Sequence, residues 1–487
     1  MRLADTVLQP AFEGMAPPDW VRRRLAAGLG GVVLFSRNIA GPAQLAALTA
    51  ALKAENPDVV IAVDEESGDV TRLDVERGSR RPGNLALGYV DDPALTEAVA
   101  ADIGAQLAAA GITMNYAPTA DVNNNPANPV IGVRSFGSDT ALVARHTAAW
   151  VRGLQSTGVG ACAKHFPGHG DTGVDSHHGL PIIEADLSRL DEVELPPFRA
   201  AIEAGVRAIM TAHLLVPALD LELPATMSRA VLVDLLRMRL GFTGLVVTDA
   251  IEMASVAQRF GLAGAAVLAL QAGADAICVG GENYDEGVAI LLQESIVDAV
   301  QAGTLTEERL LEAAGRIERF AADSAALQEV RQANAQMWRT GTSVPIGLTA
   351  ARRALRVTGD PRLHRPAHVV EFETSTNLAI DNRTPWGIGD PLRAARPDTT
   401  VVRRGEEATL SSVLQGSDGR IPVLVCRDPH RFPWLQALLR KVVEARPESI
   451  VVEMGVPAAS PIGAGHIATH GAATVCAYAA VELLVRP

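Results

Sequence analysis

A (β/α)8 barrel followed by a smaller α/β sandwich is the fold that this 487-residue sequence predicts. Three observations predict it. Short β-branched apolar runs alternate with longer alanine-rich segments of helical character from residue 1 to about 345. Several of those runs close on a side chain able to do chemistry, and the texture changes after residue 345, where Pro345, Pro361, Pro366 and several arginines mark a connector. At 487 residues the chain exceeds what one core usually supports, and 48% apolar residues are ample for packing, so one large and one smaller domain are expected. The predicted layout is a barrel over 1–345, a linker over 346–360 and a sandwich over 361–487.

Eight runs supply the barrel strands in order: Asp5 to Phe12, Gly31 to Phe35, Val59 to Asp64, Thr113 to Pro118, Ala161 to Phe166, Ala208 to His213, Gly244 to Asp249 and Ala276 to Gly280. Five end on or beside a functional group, namely Asp64, Asn115, Lys164-His165, His213 and Asp249. At the C-terminal ends of barrel strands such groups converge on one rim, where loops vary without disturbing the packed interior. The second domain has candidate strands His368 to Phe372, Thr400 to Arg403, Ile421 to Cys426 and Ile450 to Met454. Its clearest helices are Trp434 to Ala445 and Gly471 to Val485, and the Gly463 to His470 stretch reads as a loop able to overhang the barrel mouth.

Composition removes several function classes. Fifty-six acidic against 43 basic residues give a net charge of -13, which repels a phosphate backbone and anionic lipid. Neither nucleic acid nor membrane is an expected partner. The most apolar stretch, Gly261 to Gly281, is interrupted by Gln271 and Asp275 and does not qualify as a membrane span. The first residues carry an acid at Asp5 and no apolar run of signal-peptide length, so the expectation is a cytoplasmic protein. Cys162, Cys278, Cys426 and Cys476 are far apart within apolar runs, as reduced core thiols would be.

The most informative stretch runs from Lys164 to Pro181, KHFPGHGDTGVDSHHGLP, and holds four of the eleven histidines. Pro167, Gly168, Gly170 and Gly173 exclude helix, which leaves a long loop leaving a strand. Asp175 and His177 are two apart, a spacing that in extended chain turns both side chains to the same side. A carboxylate accepting from one imidazole nitrogen fixes the tautomer and leaves the other nitrogen to handle a substrate proton. Metal ligation by His165, His169, Asp171, Asp175 and His177 is the weaker alternative, because the glycines forbid a helical H-x-x-x-H pair. His169, Asp171 and His178 read as loop-bracing residues. Lys164 closes a buried-looking run, where an ammonium needs a task, and Arg134 has a plain alternative as a salt-bridge partner.

This loop, together with VVTDAIEM, IAVDEESGDVTRL, RPGNLALG and NNNPANPVIGVRSFGSD, closely resembles the N-acetyl-β-glucosaminidases of glycoside hydrolase family 3, over roughly residues 30 to 290. The resemblance implies that Asp249 is the catalytic nucleophile and that Asp175 and His177 form an acid/base dyad. It implies further that Asp64, Arg134, Lys164 and His165 hold the hydroxyls of the sugar in the first subsite, with His213 lining the same pocket. Physical reasoning agrees: a retaining glycosidase needs one carboxylate to form a glycosyl intermediate and a proton donor near the leaving oxygen. The implied substrate is terminal β-linked N-acetylglucosamine in cell-wall muropeptides or amino-sugar oligosaccharides, and neither a metal nor an organic cofactor is implied. In one place the sequence departs from the family, which commonly reads D-Q-E-G-G where this chain has Asp64-Glu65-Glu66-Ser67-Gly68-Asp69. The departure adds acid where neutral or basic residues are usual, so the resemblance carries neither the outer subsite nor a preference for one leaving sugar over to this chain.

Three alternatives stand beside that reading. Asp249 could instead cap the helix after its strand. A phosphorylase of the same fold is possible because an imidazole repels phosphate less than a second carboxylate would. A non-catalytic sugar-binding protein is disfavoured, since every expected catalytic position is filled.

Overall fold

Short, mostly apolar runs of two to seven residues extend as strands, and the alanine-rich segments between them coil into helices that cover the resulting sheet. The computed structural model describes residues 1–173, 179–281, 284–339, 346–376, 379–457 and 460–486. The chain forms two compact units, one of residues 1–66, 93–131 and 138–344, the other of 67–92, 132–137 and 345–487.

In the first unit the strands are β1 (Leu8–Pro10), β2 (Gly31–Leu34), β3 (Val60–Val63), β4 (Met114–Asn115), β5 (Gly160–Phe166), β6 (Ala208–Thr211), β7 (Leu245–Val247) and β8 (Ile277–Val279). All eight lie within or beside the runs read from the sequence. Strands β2 to β7 form one curled sheet in chain order with every pairing parallel. Strand β8 pairs in parallel with β1, and Val247 at the end of β7 bridges Ala276 just before β8. Every residue of these strands is buried, as in a parallel sheet covered on both faces. A helix follows each strand: Asp19–Ala27, Pro42–Glu55, Pro93–Ala109, Thr140–Gln155, Leu195–Glu203, Ala230–Arg239, Ala254–Ala272 and Glu286–Gln301. Their starts carry the chemistry of helix initiation. Asp139, for example, accepts the Leu142 N–H at 2.7 Å and satisfies one of the orphan donors of the first turn.

The second unit holds β9 (Arg356–Gly359), β10 (Ala367–Phe372), β11 (Thr400–Arg404), β12 (Ile421–Cys426), β13 (Ile450–Glu453) and β14 (Gly465–Ala468) in the order β11-β10-β12-β13-β14-β9. Only the edge pair β14–β9 is antiparallel. Successive residues serve opposite faces. Val369, Val423, Val425 and Val452 pack with Leu392 and Ala480 on one side, whereas Val370, Leu424, Cys426 and Val451 pack with Leu435 and Leu439 on the other. The result is a sheet between two helical layers.

Two expectations need correction. The stretch 346–360, expected as a linker, carries the helix Ile346–Arg353 and strand β9. Residues 463–470, expected as a loop, include β14, on which the buried His466 Nε2 meets Glu453 Oε2 at 3.1 Å. The sequences RVTG and GHIA have too little apolar alternation to announce a strand, and the ladder with a neighbour decides. All four cysteines are buried with free thiols. No helix among the described residues is long and apolar enough to cross a membrane.

Candidate active site

Because β3 to β7 run parallel, their C-terminal ends share one rim, and Asp64, Asn115, Lys164, His165, His213 and Asp249 all stand there. The Lys164 side chain is only 3% exposed, so its ammonium requires compensation. Nζ donates to Asp64 Oδ1 at 2.5 Å and to Glu66 Oε1 at 2.6 Å, which places one cation between two carboxylates. Thr119 Oγ1 donates to the second Glu66 oxygen at 3.3 Å. Glu66 is thus part of the rim's charge cluster, and Glu65 turns inward, buried, with its backbone N–H and carbonyl bonded to the Asn115 side chain.

Strand β5 continues into the glycine-rich loop. His165 Nδ1 lies 2.8 Å from Asp121 Oδ2; a carboxylate only accepts, so Nδ1 carries a proton. The other Asp121 oxygen accepts the backbone N–H groups of His165 at 3.1 Å and His169 at 2.7 Å. Burial alone would raise the Asp121 carboxyl, but His165 and His169 hold it below its usual range. His169 braces the loop: its Nδ1 meets Thr172 Oγ1 at 2.8 Å, and burial with the nearby His165 pushes its pKa down to about 4. The glycines of the motif have steric causes. A Cβ at Gly170 would sit 1.7 Å from the Val122 carbonyl oxygen, and Gly168 has φ +132° with Glu194 Oε2 2.6 Å from where its Cβ would be. Beneath this loop Glu194 is buried, and burial, with Asp121 and Asp171 adding to it, pushes its pKa up to about 8.

On the other side of the rim Asp249 is half-buried and its Oδ1 accepts the Ala250 N–H at 2.8 Å. It is not a helix cap, since the next helix begins at Ala254 with Met253 at its N-cap. His213 donates from Nε2 to the Ala250 carbonyl at 3.0 Å, and its Nδ1 meets Thr226 Oγ1 at 2.7 Å. Both ring nitrogens therefore engage the protein, and His213 braces the turn that carries Asp249. Burial raises the thiols of both Cys162 and Cys278, and the charges of Asp64 and Asp249 push them further up, with Lys164 opposing at Cys162.

Arg134 belongs to the second unit, buried on the turn Gly132–Arg134, with its carbonyl accepting from Asn84 Nδ2 at 2.7 Å. Also in that unit, Ser67 takes φ +69° where the family pattern has glycine, and its Oγ donates to the Pro82 carbonyl at 2.9 Å. Asp69 is buried there too, accepting the Ala472 N–H at 2.7 Å; burial pushes its pKa up to about 6 against the pull of Arg427. Of the acidic departures from the family pattern, Glu65 and Asp69 are thus both buried. Asp175, His177 and His178 lie outside the described residues. Sequence reasoning missed Asp121, although an aspartate directly after the mostly apolar stretch 116–120 is the same kind of signal that marked Asn115.

The family model described as "Glycosyl hydrolase family 3 N terminal domain" matches residues 19–320. Among curated relatives, Beta-hexosaminidase A of Pseudoalteromonas piscicida is 35% identical over 331 residues, which is 62% of this chain and 54% of that protein. This chain thus spans about half the length of that relative. Beta-hexosaminidase of Thiobacillus denitrificans is 38% identical over 301 residues, 60% of this chain and 82% of that one. Among solved structures, a glycoside hydrolase family 3 beta-N-acetylglucosaminidase from Paenibacillus sp. superposes with a TM-score of 0.86 at 34% identity, covering 99% of this chain and 96% of that one.

Proposed function

The chain belongs to glycosyl hydrolase family 3, and from that premise we propose that it removes terminal β-linked N-acetylglucosamine, with retention, from cell-wall-derived or amino-sugar oligosaccharides. Asp249 attacks the anomeric carbon and forms the glycosyl intermediate, which water then hydrolyses. Asp175 and His177 act as one unit: the imidazole protonates the leaving oxygen in the first step and activates water in the second, and the carboxylate orients and charges it. Asp64, Lys164 and His165 hold the sugar's hydroxyls, and His213 lines the same pocket while it steadies the Asp249 turn. The observation that carries this reading is the rim itself, where Lys164 is held between Asp64 and Glu66 at the end of one strand and the half-buried Asp249 follows the end of another. We also read the eight parallel strands as one closed (β/α)8 barrel, supported by the β8–β1 ladder and the Val247–Ala276 bridge, with residues 361–487 as the accompanying sandwich.

Kinetics on two substrates test the dyad. An activated aryl N-acetylglucosaminide needs little protonation in the first step, so His177→Ala should give a burst of aryl alcohol and then stall. With a natural sugar leaving group the loss should be larger, and Asp175→Ala/His177→Ala should be little worse than His177→Ala alone. Additive losses, or equal losses on both substrates, would remove the dyad from the mechanism.

A further inference from the structure

At the opposite end of the first unit's strands, where β3 begins at Val60 and Thr113 precedes β4, lies a cavity of about 610 Å3. Its walls come from the helices Pro42–Glu55, Pro93–Ala109, Glu307–Ala326 and Gln328–Arg339. Two cations line it, Lys53 and Arg331, and neither forms an ion pair among the described residues. Lys53 Nζ donates to the Gly111 carbonyl at 2.5 Å. Arg331 donates from Nη1 to the carbonyls of Gly158, at 3.3 Å, and Ser324, leaving Nε and Nη2 without a protein acceptor. Ser324 also lines the cavity; it is 2% exposed and its Oγ has no partner. The lining carboxylate, Asp58, is exposed and pairs with neither cation.

Two like charges sharing a partly desolvated space, with no carboxylate between them, are costly unless a ligand supplies the missing negative charge. We propose that this cavity is a second binding site, remote from the carboxylate rim, for a phosphorylated sugar whose phosphate is taken by Lys53, Arg331 and Ser324 Oγ. A phosphate offers acceptor oxygens to an ammonium, a guanidinium edge and a hydroxyl at once. It fills only part of the space, and Gln328 and Gln332, one helical turn apart on the same wall, offer amides to hydroxyls of an attached sugar. The electrostatics agree. Burial, with Arg331 adding to it, pushes the Lys53 pKa down to about 8, and burial with Arg207 nearby lowers Arg331. An anion would reverse both effects.

The test is calorimetric titration of the full chain, in phosphate-free buffer and with N-acetylglucosamine saturating, using glucose 6-phosphate and inorganic phosphate as probes. Saturable one-site binding of glucose 6-phosphate is expected, about tenfold tighter than phosphate and weakened at least about tenfold by Lys53→Met. Arg331→Met should act alike, and because Arg331 also ties two carbonyls, Lys53→Met is the deciding variant. Absence of saturable binding, binding that Lys53→Met leaves intact, or displacement by N-acetylglucosamine would overturn the site. Equal affinity for the two probes would overturn the sugar.

Discussion

Lys164 shows at the residue scale how the rim is held together and why charge there is not interchangeable. Its ammonium is nearly inaccessible and shared by Asp64 and Glu66, so Lys164→Met would leave two carboxylates facing each other without a cation. Removing one partner of a buried ion pair typically costs about 3–5 kcal/mol. Lys164→Met should therefore lower the unfolding free energy by roughly that much and kcat/KM by more than about a hundredfold, because the groups proposed to hold the sugar lose their positions. Glu66→Gln keeps the Lys164–Asp64 pair and should cost only about 1–2 kcal/mol in denaturant titration. Equal effects of the two substitutions would contradict the shared-cation arrangement. Two further groups set the pH dependence of stability. Glu194 is raised from 4.5 to about 8, so between those values the folded state keeps a proton that the unfolded chain has released. Its contribution is complete at low pH and disappears as pH climbs through about 8. His169 is lowered from 6.5 to about 4, so its neutral form contributes fully above 6.5 and that contribution is lost as pH falls toward 4. The thermal midpoint of the wild type should fall between about pH 6 and pH 9 more steeply than that of Glu194→Gln. Parallel curves would mean that Glu194 ionises freely in the fold.

At the scale of elements, Asp275 is the clearest anchor. Completely buried just before β8, it accepts from Arg237 at 2.6 Å, Arg309 at 2.7 Å and Arg316 at 2.9 Å, and from the Val246 N–H at 2.9 Å. Two helices and two strands meet on one carboxylate. Asp275→Asn would leave three guanidinium groups around a neutral amide, and the thermal midpoint should drop by about 10 °C while the folded fraction keeps its kcat. A midpoint within about 2 °C of wild type would show that the arginines find other partners. In the sequence Asp275 was visible only as a polar break in an apolar stretch, because its three partners come from positions 38 residues before and 34 and 41 after it. The parallel strands of the first unit were legible for the opposite reason. Parallel strands buried on both faces spell continuous apolar runs, and those of β3 and β7 end within two residues of Asp64 and Asp249. Strands β9 and β14 left no such trace, being short and held by pairing rather than by pattern. The glycines at 168 and 170 announced a loop, but their reason, the approach of Glu194 and of the Val122 carbonyl, depends on residues far away in the chain.

At the scale of the whole molecule, the chain does not divide at one point. Residues 67–92 leave the first unit after β3 and pack with the C-terminal unit, where Tyr89 stacks on His470 at 4.0 Å and Thr474 Oγ1 donates to the Arg77 carbonyl at 2.8 Å. Residues 132–137, with Arg134 among them, do the same. A sequence read from end to end assigns such excursions to the domain that surrounds them, because pattern reports local structure and not the partner on which a segment settles. The catalytic proposal depends on one group of this molecule, the Asp249 carboxylate that forms the bond to sugar. A mechanism-based fluorinated N-acetylglucosaminide, incubated with the full chain and followed by peptide mass mapping, tests it most directly. The predicted result is one stoichiometric label on Asp249, with none formed by Asp249→Asn. A label on any other residue, or turnover that survives in Asp249→Asn, would contradict the account.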